Sequence, residues 1–292
     1  MVLKTASLFY RKISAQNSRK IAHKIVSTWK KLYKNAILID FMQFVDFHTH
    51  LDLYKNQNEL FEQLSSFCGT IVAASIDLDS YKKNCRIAQK AKALGFEADI
   101  IATLGIHPEK VLLEKEKLCE YEKFLKESHI IGEIGMDFCW YKEASPVAQE
   151  EVLRFFLEHC NQEKKYCVIH TKDAEEKICR ILEEYPFAKP IIHWYDGPEE
   201  IYKELVGRNY MQTFGCETIR SKHIQKLLEQ TPLDLILAET DNPDSEKWLG
   251  GTDSSIFLIE RIYKDIAEVL GLKIEKIAKT INENSAKILK EF

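Results

Sequence analysis

From residue 43 onward, short apolar runs alternate with longer segments in which apolar residues recur every three or four positions. The short runs have the length of buried strands, and the periodic segments are typical of amphipathic helices. The first predicted strand begins at Phe44, and seven more are predicted over residues 69–75, 99–105, 130–133, 166–169, 190–192, 210–214 and 234–238. The predicted helices cover residues 59–67, 80–94, 114–127, 146–164, 174–185, 199–206, 221–229, 256–270 and 273–289.

Repeated strand–helix units of this kind favour a parallel sheet, and eight of them predict closure into a (β/α)8 barrel of the TIM type. An open, doubly wound sheet is the alternative, and it often carries a glycine-rich phosphate turn after its first strand. In this chain that position holds His48-Thr-His-Leu-Asp52 instead. The barrel is therefore the preferred prediction.

Charge divides the chain into two parts. The net charge is −4, yet residues 1–39 hold nine Lys or Arg and no acidic residue, so the remainder carries 41 − 9 = 32 basic against 45 acidic residues, or −13. Behind Ser18, a plausible N-cap, an apolar stripe recurs at helical spacing. The stripe consists of Ile21, Ile25, Trp29 and Leu32.

This basic amphipathic segment has three candidate roles: a mitochondrial-type transit segment, a membrane-surface helix, or an arm that neutralises nucleic-acid phosphates. We favour a fourth interpretation, a peripheral extension, because Met42 stands directly before the first strand and can itself be a start residue. Residues 1–41 are thus predicted to be an N-terminal extension, dispensable for a metallohydrolase barrel over residues 42–292.

Several protein classes are disfavoured by composition. No apolar run reaches the ~18 residues that a membrane span needs, and no secretory signal pattern is present. The eight cysteines form no Cys-x-x-Cys pair, which disfavours a zinc ribbon or a disulfide framework. We therefore expect a soluble protein with reduced thiols, located in the cytoplasm.

Two histidines two positions apart, His48 and His50, follow the first apolar run. Residues i and i+2 of a strand face the same side, so both imidazoles project together, as two ligands of one metal ion must. A lone histidine in such a strand is more often a satisfied core residue. The metal hypothesis therefore depends on further ligands at matching positions.

Barrel active sites lie at the carboxyl ends of the strands, and residues of metal-ligand type occupy six of the eight predicted ends. Five of the nine histidines in the chain belong to this set. Its members are His48, His50, His107, Glu133, His170, His193 and Asp241.

Imidazole and carboxylate ligands without thiolates suit Zn²⁺, Mn²⁺ or Mg²⁺. Six ligands exceed what one open catalytic metal uses, so we predict two divalent ions ~3.5–4 Å apart with Glu133 as the bridge. Asp241 is predicted to orient the attacking water and to accept its proton. One ion is assigned to His48, His50, Glu133 and Asp241, and the other to Glu133, His170 and His193.

Six short segments and one asparagine carry a family resemblance: Asp46–Asp52, Gly105–Pro108, Gly132–Asp137, Ile169–Ala174, Ile192–Gly197, Glu239–Pro243 and Asn284. In order and spacing they resemble the TatD-type metal-dependent deoxyribonucleases over about residues 43–292. The resemblance implies a (β/α)8 metallohydrolase that cuts DNA phosphodiesters, with the six ligands named above.

This chain departs from the family pattern at two places. Lys172 stands where the family usually has arginine, and the segment after Asp241 lacks the expected Arg/Asn-Pro loop. We assign His107 and Lys172 to substrate binding. The His193-Trp-Tyr-Asp-Gly197 motif is similar to that of the TatD-like component of the bacterial Qat anti-phage systems, which implies an antiviral role and defence-system partner proteins.

A deoxyribonuclease is the leading functional hypothesis. The alternative is an amidohydrolase-type C–N or ester hydrolase acting on a small molecule. Many hydrolases of that type carry a carboxylated lysine at the position where this chain has Glu133. A non-catalytic binding subunit would have lost ligands, and none is missing.

The acidic body disfavours tight duplex binding, so we expect action on ends or single strands. Lys172 and Arg220 are candidate phosphate contacts; Trp140 and Trp248 are candidate stacking groups, and Trp194 is expected in the core.

Overall fold

Eight parallel strands form the centre of the protein, in a computed structural model that describes residues 42–290. Strands β1 to β3 pair in chain order, and so do β4 to β8. Their bounds are β1 Phe44–Thr49, β2 Gly69–Ala73, β3 Ala98–Ala102, β4 Ile130–Asp137, β5 Tyr166–Lys172, β6 Lys189–Ile192, β7 Met211–Phe214 and β8 Ile236–Ala238.

The two sheets join at two seams. Between β3 and β4, Leu104 bridges to Ile131 in parallel, and the Gly132 N–H donates to the Leu104 carbonyl at 2.8 Å. Between β8 and β1, the Asp241 N–H donates to the His48 carbonyl at 2.9 Å.

The second seam is strengthened by a buried carboxylate. Asp46 on β1 accepts the N–H of Thr240 at 2.9 Å and its hydroxyl at 2.6 Å, across 194 residues of sequence. Burial raises the pKa of Asp46 to about 8, although these hydrogen bonds oppose the shift. With both seams made, the strands close into the predicted (β/α)8 barrel.

Helices follow the strands, and several begin at the residues expected to cap them. The Ser145 hydroxyl accepts the N–H of Ala148, and Asp77 accepts that of Ser80. The helices are α1 Gln57–Leu64, α2 Leu78–Ala93, α3 Val111–Glu114, α4 Leu118–Leu125, α5 Pro146–Glu163, α6 Glu175–Glu183, α7 Glu199–Gly207, α8 Lys222–Gln230, α9 Ser245–Trp248, α10 Leu258–Val269 and α11 Ile274–Leu289.

The local structure differs from the prediction at several places. The single helix over residues 114–127 is instead broken by a 3₁₀ turn, which Glu114 stabilises by binding Lys117 Nζ and the Tyr121 hydroxyl. The last strand begins at Ile236, because a 3₁₀ turn in which Leu235 donates to the Pro232 carbonyl precedes it. The short helix α9 was not predicted at all.

A buried apolar cluster draws side chains from seven of the eight strands, so it fills the barrel interior. In β5 and β6 its members Val168 and Ile191 stand two residues before His170 and His193. Because alternate strand residues share a face, the packed core directly supports these two imidazoles. The cluster comprises Val45, Phe47, Val72, Ile130, Val168, Ile191, Met211, Leu235, Leu237 and Ile288.

The basic extension, residues 1–41 with its apolar stripe, lies outside the described residues, so the domain boundary and the role of this segment stay predictions. Within residues 42–290, no helix is long and apolar enough to cross a membrane. The expected cytoplasmic location is likewise still a prediction.

Close packing of β4 on β5 gives a first test. Gly135 has φ +159°, and a Cβ there would lie 2.0 Å from the His170 carbonyl oxygen. We expect Gly135→Ala to lower the free energy of unfolding by at least about 2 kcal/mol, because rigid backbone must move. Denaturant unfolding measures this.

The matched control is Gly207→Ala at the end of α7, where a Cβ would meet no atom within 4 Å. This variant should be neutral or slightly more stable, since alanine favours helix. If Gly135→Ala unfolded at the same denaturant concentration as the wild type, the close approach of β4 to β5 would be contradicted.

Candidate metal centre

Both strands that bring the central residues together change register at those residues. The pairing of β1 shifts between Asp46 and Thr49, around His48, and the pairing of β4 shifts between Ile131 and Ile134, around Glu133. Such bulges locally bend a strand and re-aim a side chain, and they are frequent beside active sites. Here they accompany the convergence of a histidine and a carboxylate from two non-adjacent strands.

One oxygen of the buried Glu133 carboxylate faces the His-x-His pair. Glu133 Oε2 lies 3.2 Å from His48 Nε2 and 3.5 Å from His50 Nε2. Asp241 Oδ1 approaches the same two nitrogens, at 3.6 Å and 3.1 Å. Three ligand-type side chains therefore converge on one side of Glu133.

The other oxygen of Glu133 faces a second set of histidines. Glu133 Oε1 lies 2.9 Å from His170 Nδ1, 3.3 Å from His193 Nε2 and 3.5 Å from His107 Nε2. The structure thus brings together all six side chains that the sequence singled out as metal ligands, together with His107.

Several of these buried atoms have no hydrogen-bond partner among residues 42–290. They are both ring nitrogens of His48, Nδ1 of His50 and Oδ1 of Asp241. Leaving a buried polar atom unpaired costs about 1–3 kcal/mol. Convergent, unpaired nitrogen and oxygen atoms without thiolates fit a divalent cation, so the residues present are suited to hold metal.

Two carboxylates fix the orientation of two histidines. His170 Nε2 lies 3.0 Å from Asp137 Oδ2, and His193 Nδ1 lies 3.0 Å from Glu239 Oε2. When the N–H of each of these nitrogens donates a hydrogen bond to the carboxylate, the opposite nitrogen, which faces Glu133, is unprotonated and has a lone pair. This is the arrangement by which proteins prepare imidazoles as metal ligands.

His107 differs from the other histidines. Its Nδ1 accepts the N–H of Glu109 at 3.2 Å, and burial together with the neighbouring histidines lowers its pKa to about 3. A neutral ring whose Nδ1 accepts must carry its proton on Nε2. In this tautomer the Nε2–H of His107 lies 3.3 Å from His170 Nδ1 and 3.5 Å from Glu133 Oε1 and so faces the site as a donor.

The charges of the site are mutually dependent. Burial alone would raise the pKa of Glu133 and of Asp241, but the surrounding histidines hold both below their ordinary values. Burial would lower the pKa of His50, yet the Asp241 and Glu133 carboxylates outweigh it and raise that pKa to about 9. Both carboxylates are therefore ionised at neutral pH.

Three residues at the carboxyl ends of strands have left-handed backbone: Asp173 (φ 54°), Trp194 (φ 38°) and Asp241 (φ 50°). This conformation is uncommon for residues other than glycine and concentrates at functional sites. The prediction that Trp194 belongs to the core was wrong. Strand alternation ends at Ile192, and the turn at Trp194 brings its half-buried side chain to the wall of the cavity.

A cavity of about 590 Å³ opens above these residues. Six of the seven strand-end residues line it, and the seventh, His48, is fully buried beneath it. Lys172 also lines the cavity, where its Nζ lies 2.6 Å from Asp196 Oδ2. Arg220, an expected phosphate contact, is instead paired with the buried carboxylate of Glu246 at 2.8 Å.

Sequence reasoning gave no role to Asp137 and Glu239. The available signal was their spacing. Asp137 stands four residues after Glu133, and Glu239 stands two residues before Asp241, each at the end of a strand. Only the distances to His170 and His193 identify them as groups that hold a ligand.

Comparison with known proteins also indicates a metal-dependent hydrolase. The sequence model of the TatD related DNase family matches residues 45–290. The chain is 25% identical over 256 residues to an uncharacterised metal-dependent hydrolase of Methanocaldococcus jannaschii, covering 85% of this chain and 98% of that protein. It is 23% identical to the human protein named deoxyribonuclease TATDN3, covering 84% and 93%.

Among solved structures, a TatD family hydrolase from Entamoeba histolytica superposes with a TM-score of 0.71 at 18% identity, covering 85% of this chain and 98% of that one. An uncharacterised amidohydrolase from Saccharomyces cerevisiae gives a TM-score of 0.72 at 14% identity, covering 85% and 99%. At these identities the superpositions speak for the barrel fold alone. Since the family model spans nearly all of the described residues, the chain belongs to the TatD related DNase family and is a metal-dependent hydrolase.

Proposed function

We propose that this protein hydrolyses DNA phosphodiester bonds at ends or in single strands, using two divalent ions of Zn, Mn or Mg. One observation carries the proposal: the two carboxylate oxygens of Glu133 face different sets of histidines. A carboxylate shared in this way is the usual bridge of a two-metal hydrolase. The human relative named a deoxyribonuclease supports DNA as the substrate.

In this proposal the residues that would hold the two ions are those that the sequence predicts. His48, His50 and Asp241 would hold one ion, His170 and His193 would hold the other, and Glu133 would contribute to both. Bound ions of this kind neutralise the charge on the scissile phosphate and lower the pKa of the attacking water.

The remaining steps belong to the protein. Asp241, kept ionised by its histidine neighbours, orients the water and accepts its proton. The Nε2–H of His107 donates to a phosphate oxygen, which gives this residue a role in substrate binding. Lys172 supplies a positive charge to the cavity wall for a second phosphate contact.

The proposal is tested with oligonucleotides labelled at either end, single- and double-stranded, across a series of added metals. We expect metal-dependent release of short products, faster from single strands, and loss of activity after chelation. The alternative is an amidohydrolase-type reaction on a small molecule. Hydrolysis of esters or amides without any cleavage of oligonucleotides would favour that alternative.

The resemblance to an anti-phage component, and with it any defence-system partner, stays a prediction. The oligomeric state is also open to measurement by light scattering.

A further inference from the structure

Three tryptophans stand together on one wall of the cavity above the candidate metal centre. Trp140 is 55% and Trp248 is 61% exposed, which is unusual for such large side chains. The Trp248 ring centroid lies 6.5 Å from that of Trp140 and 6.0 Å from that of Trp194. We call these three residues the tryptophan wall.

The backbone of two members of the wall is held by the same carboxylates that orient the histidines. Asp137, which binds His170, also accepts the backbone N–H of Trp140 at 2.6 Å. Glu239, which binds His193, also accepts the backbone N–H of Trp194 at 3.0 Å. The main chain that carries these two indoles and the candidate ligands therefore share supports.

Trp248 is anchored in a different way. It ends helix α9, in which the buried carboxylate of Glu246 pairs with Arg220 and Arg261. The same helix is tied back to the segment after Asp241, because the Ser245 hydroxyl donates to Asn242 Oδ1 at 2.9 Å. The exposed indole of Trp248 therefore lies on a helix that the buried, ion-paired Glu246 fixes in place.

The geometry of the wall decides what it can hold. A flat ring sandwiched between two parallel rings needs ~7 Å between them, about twice a van der Waals contact. The indoles are closer than this and tilted by 40° and 55°. They therefore present one continuous aromatic surface, with Lys172 Nζ 5.2 Å from the Trp140 ring centroid.

We propose that the tryptophan wall stacks the unpaired nucleobase next to the scissile phosphate and so selects single-stranded ends. This inference rests on the proposed nuclease function. A base inside a duplex has both faces covered and must be unstacked before it can reach such a surface. Stacking on an aromatic ring does not distinguish the bases, because every base has a π-face, so little sequence preference is expected.

The test compares two single-stranded oligonucleotides, one intact and one whose terminal nucleotide lacks its base. The wild type should favour the intact substrate in kcat/KM by about 5- to 150-fold, the range expected for one stacked base. Trp248→Ala should lose most of this preference, mainly through a higher KM, and Trp248→Phe should restore part of it. Phe187→Ala, which removes another exposed aromatic ring outside the cavity, is the control and should change nothing.

A binding measurement separates this inference from the nuclease proposal. Metal-free protein is titrated with each oligonucleotide while tryptophan fluorescence is recorded, so no turnover is needed. Quenching by the intact strand that is weaker with the abasic strand and weaker in Trp248→Ala supports the wall, even if no DNA is cleaved. Cleavage with equal preference in wild type and Trp248→Ala, or equal quenching by both strands, overturns the wall and leaves the nuclease proposal standing.

Discussion

Replacing Glu133 by glutamine is expected to lower hydrolytic activity at least about 100-fold while the barrel still folds. Losing a group that merely orients a ligand already costs about 10- to 100-fold in metal affinity or activity, and Glu133 contacts both histidine sets directly. The neutral amide has the same volume, so core packing is kept. It cannot supply two anionic oxygens to two cations.

Three measurements on Glu133→Gln check this expectation. Bound metal, determined by elemental analysis, should fall from about two ions per chain towards one or none. The melting temperature of the metal-free protein should change little. Activity is followed with the preferred oligonucleotide.

Glu109→Gln is the matched control, since Glu109 also lines the cavity but pairs with Lys110 at 3.0 Å and is partly exposed. It should keep its metal and most of its activity. Full metal content with full turnover in Glu133→Gln would remove the two-metal assignment, because no bridge would then be required.

The second large effect is expected at Asp241. Asp241→Asn should lower kcat by on the order of 10² or more, with a smaller change in DNA affinity, because a neutral amide cannot accept the proton of the attacking water. Its buried oxygen Oδ1 lacks a hydrogen-bond partner among the described residues and faces His48 and His50. Steady-state kinetics with metal saturating resolves kcat from KM.

Asp244→Asn supplies the comparison, because Asp244 lines the same cavity but is paired with Lys247. It should leave kcat within a few-fold of the wild type. A rise in KM alone for Asp241→Asn would make this residue a positioning group, and the base would lie elsewhere. If Asp241→Asn lost its metal and excess metal did not restore it, the main role of Asp241 would be metal binding.

The barrel, and the residues that meet at the candidate metal centre, could be predicted because their signals are local. Eight apolar runs, six of which end in a residue that can bind metal, are visible without knowing any contact between strands. The position of the Trp194 side chain could not be predicted in this way. Its left-handed backbone interrupts the alternation of strand residues on which the prediction relied.

Other features depend on distances between strands. The register shifts around His48 and Glu133 leave no mark in composition, and the tautomer of His107 is set by the N–H of Glu109. Asp137 and Glu239 were visible as acidic residues at strand ends, but their partners were not. Sequence patterns therefore indicate which side chains reach the site, whereas the state in which each one arrives is a property of the closed barrel.

The seam between β8 and β1 also bears on when the enzyme becomes active. The contact between His48 and Asp241 lies at the same seam as the hydrogen bond between Asp46 and Thr240, which spans 194 residues of sequence. Contacts so distant in sequence form late, because a long loop must first be closed. A chain still emerging from the ribosome lacks Asp241 and holds an incomplete set of ligands. Hydrolytic activity that depends on Asp241 is therefore expected only after synthesis has passed the last strand.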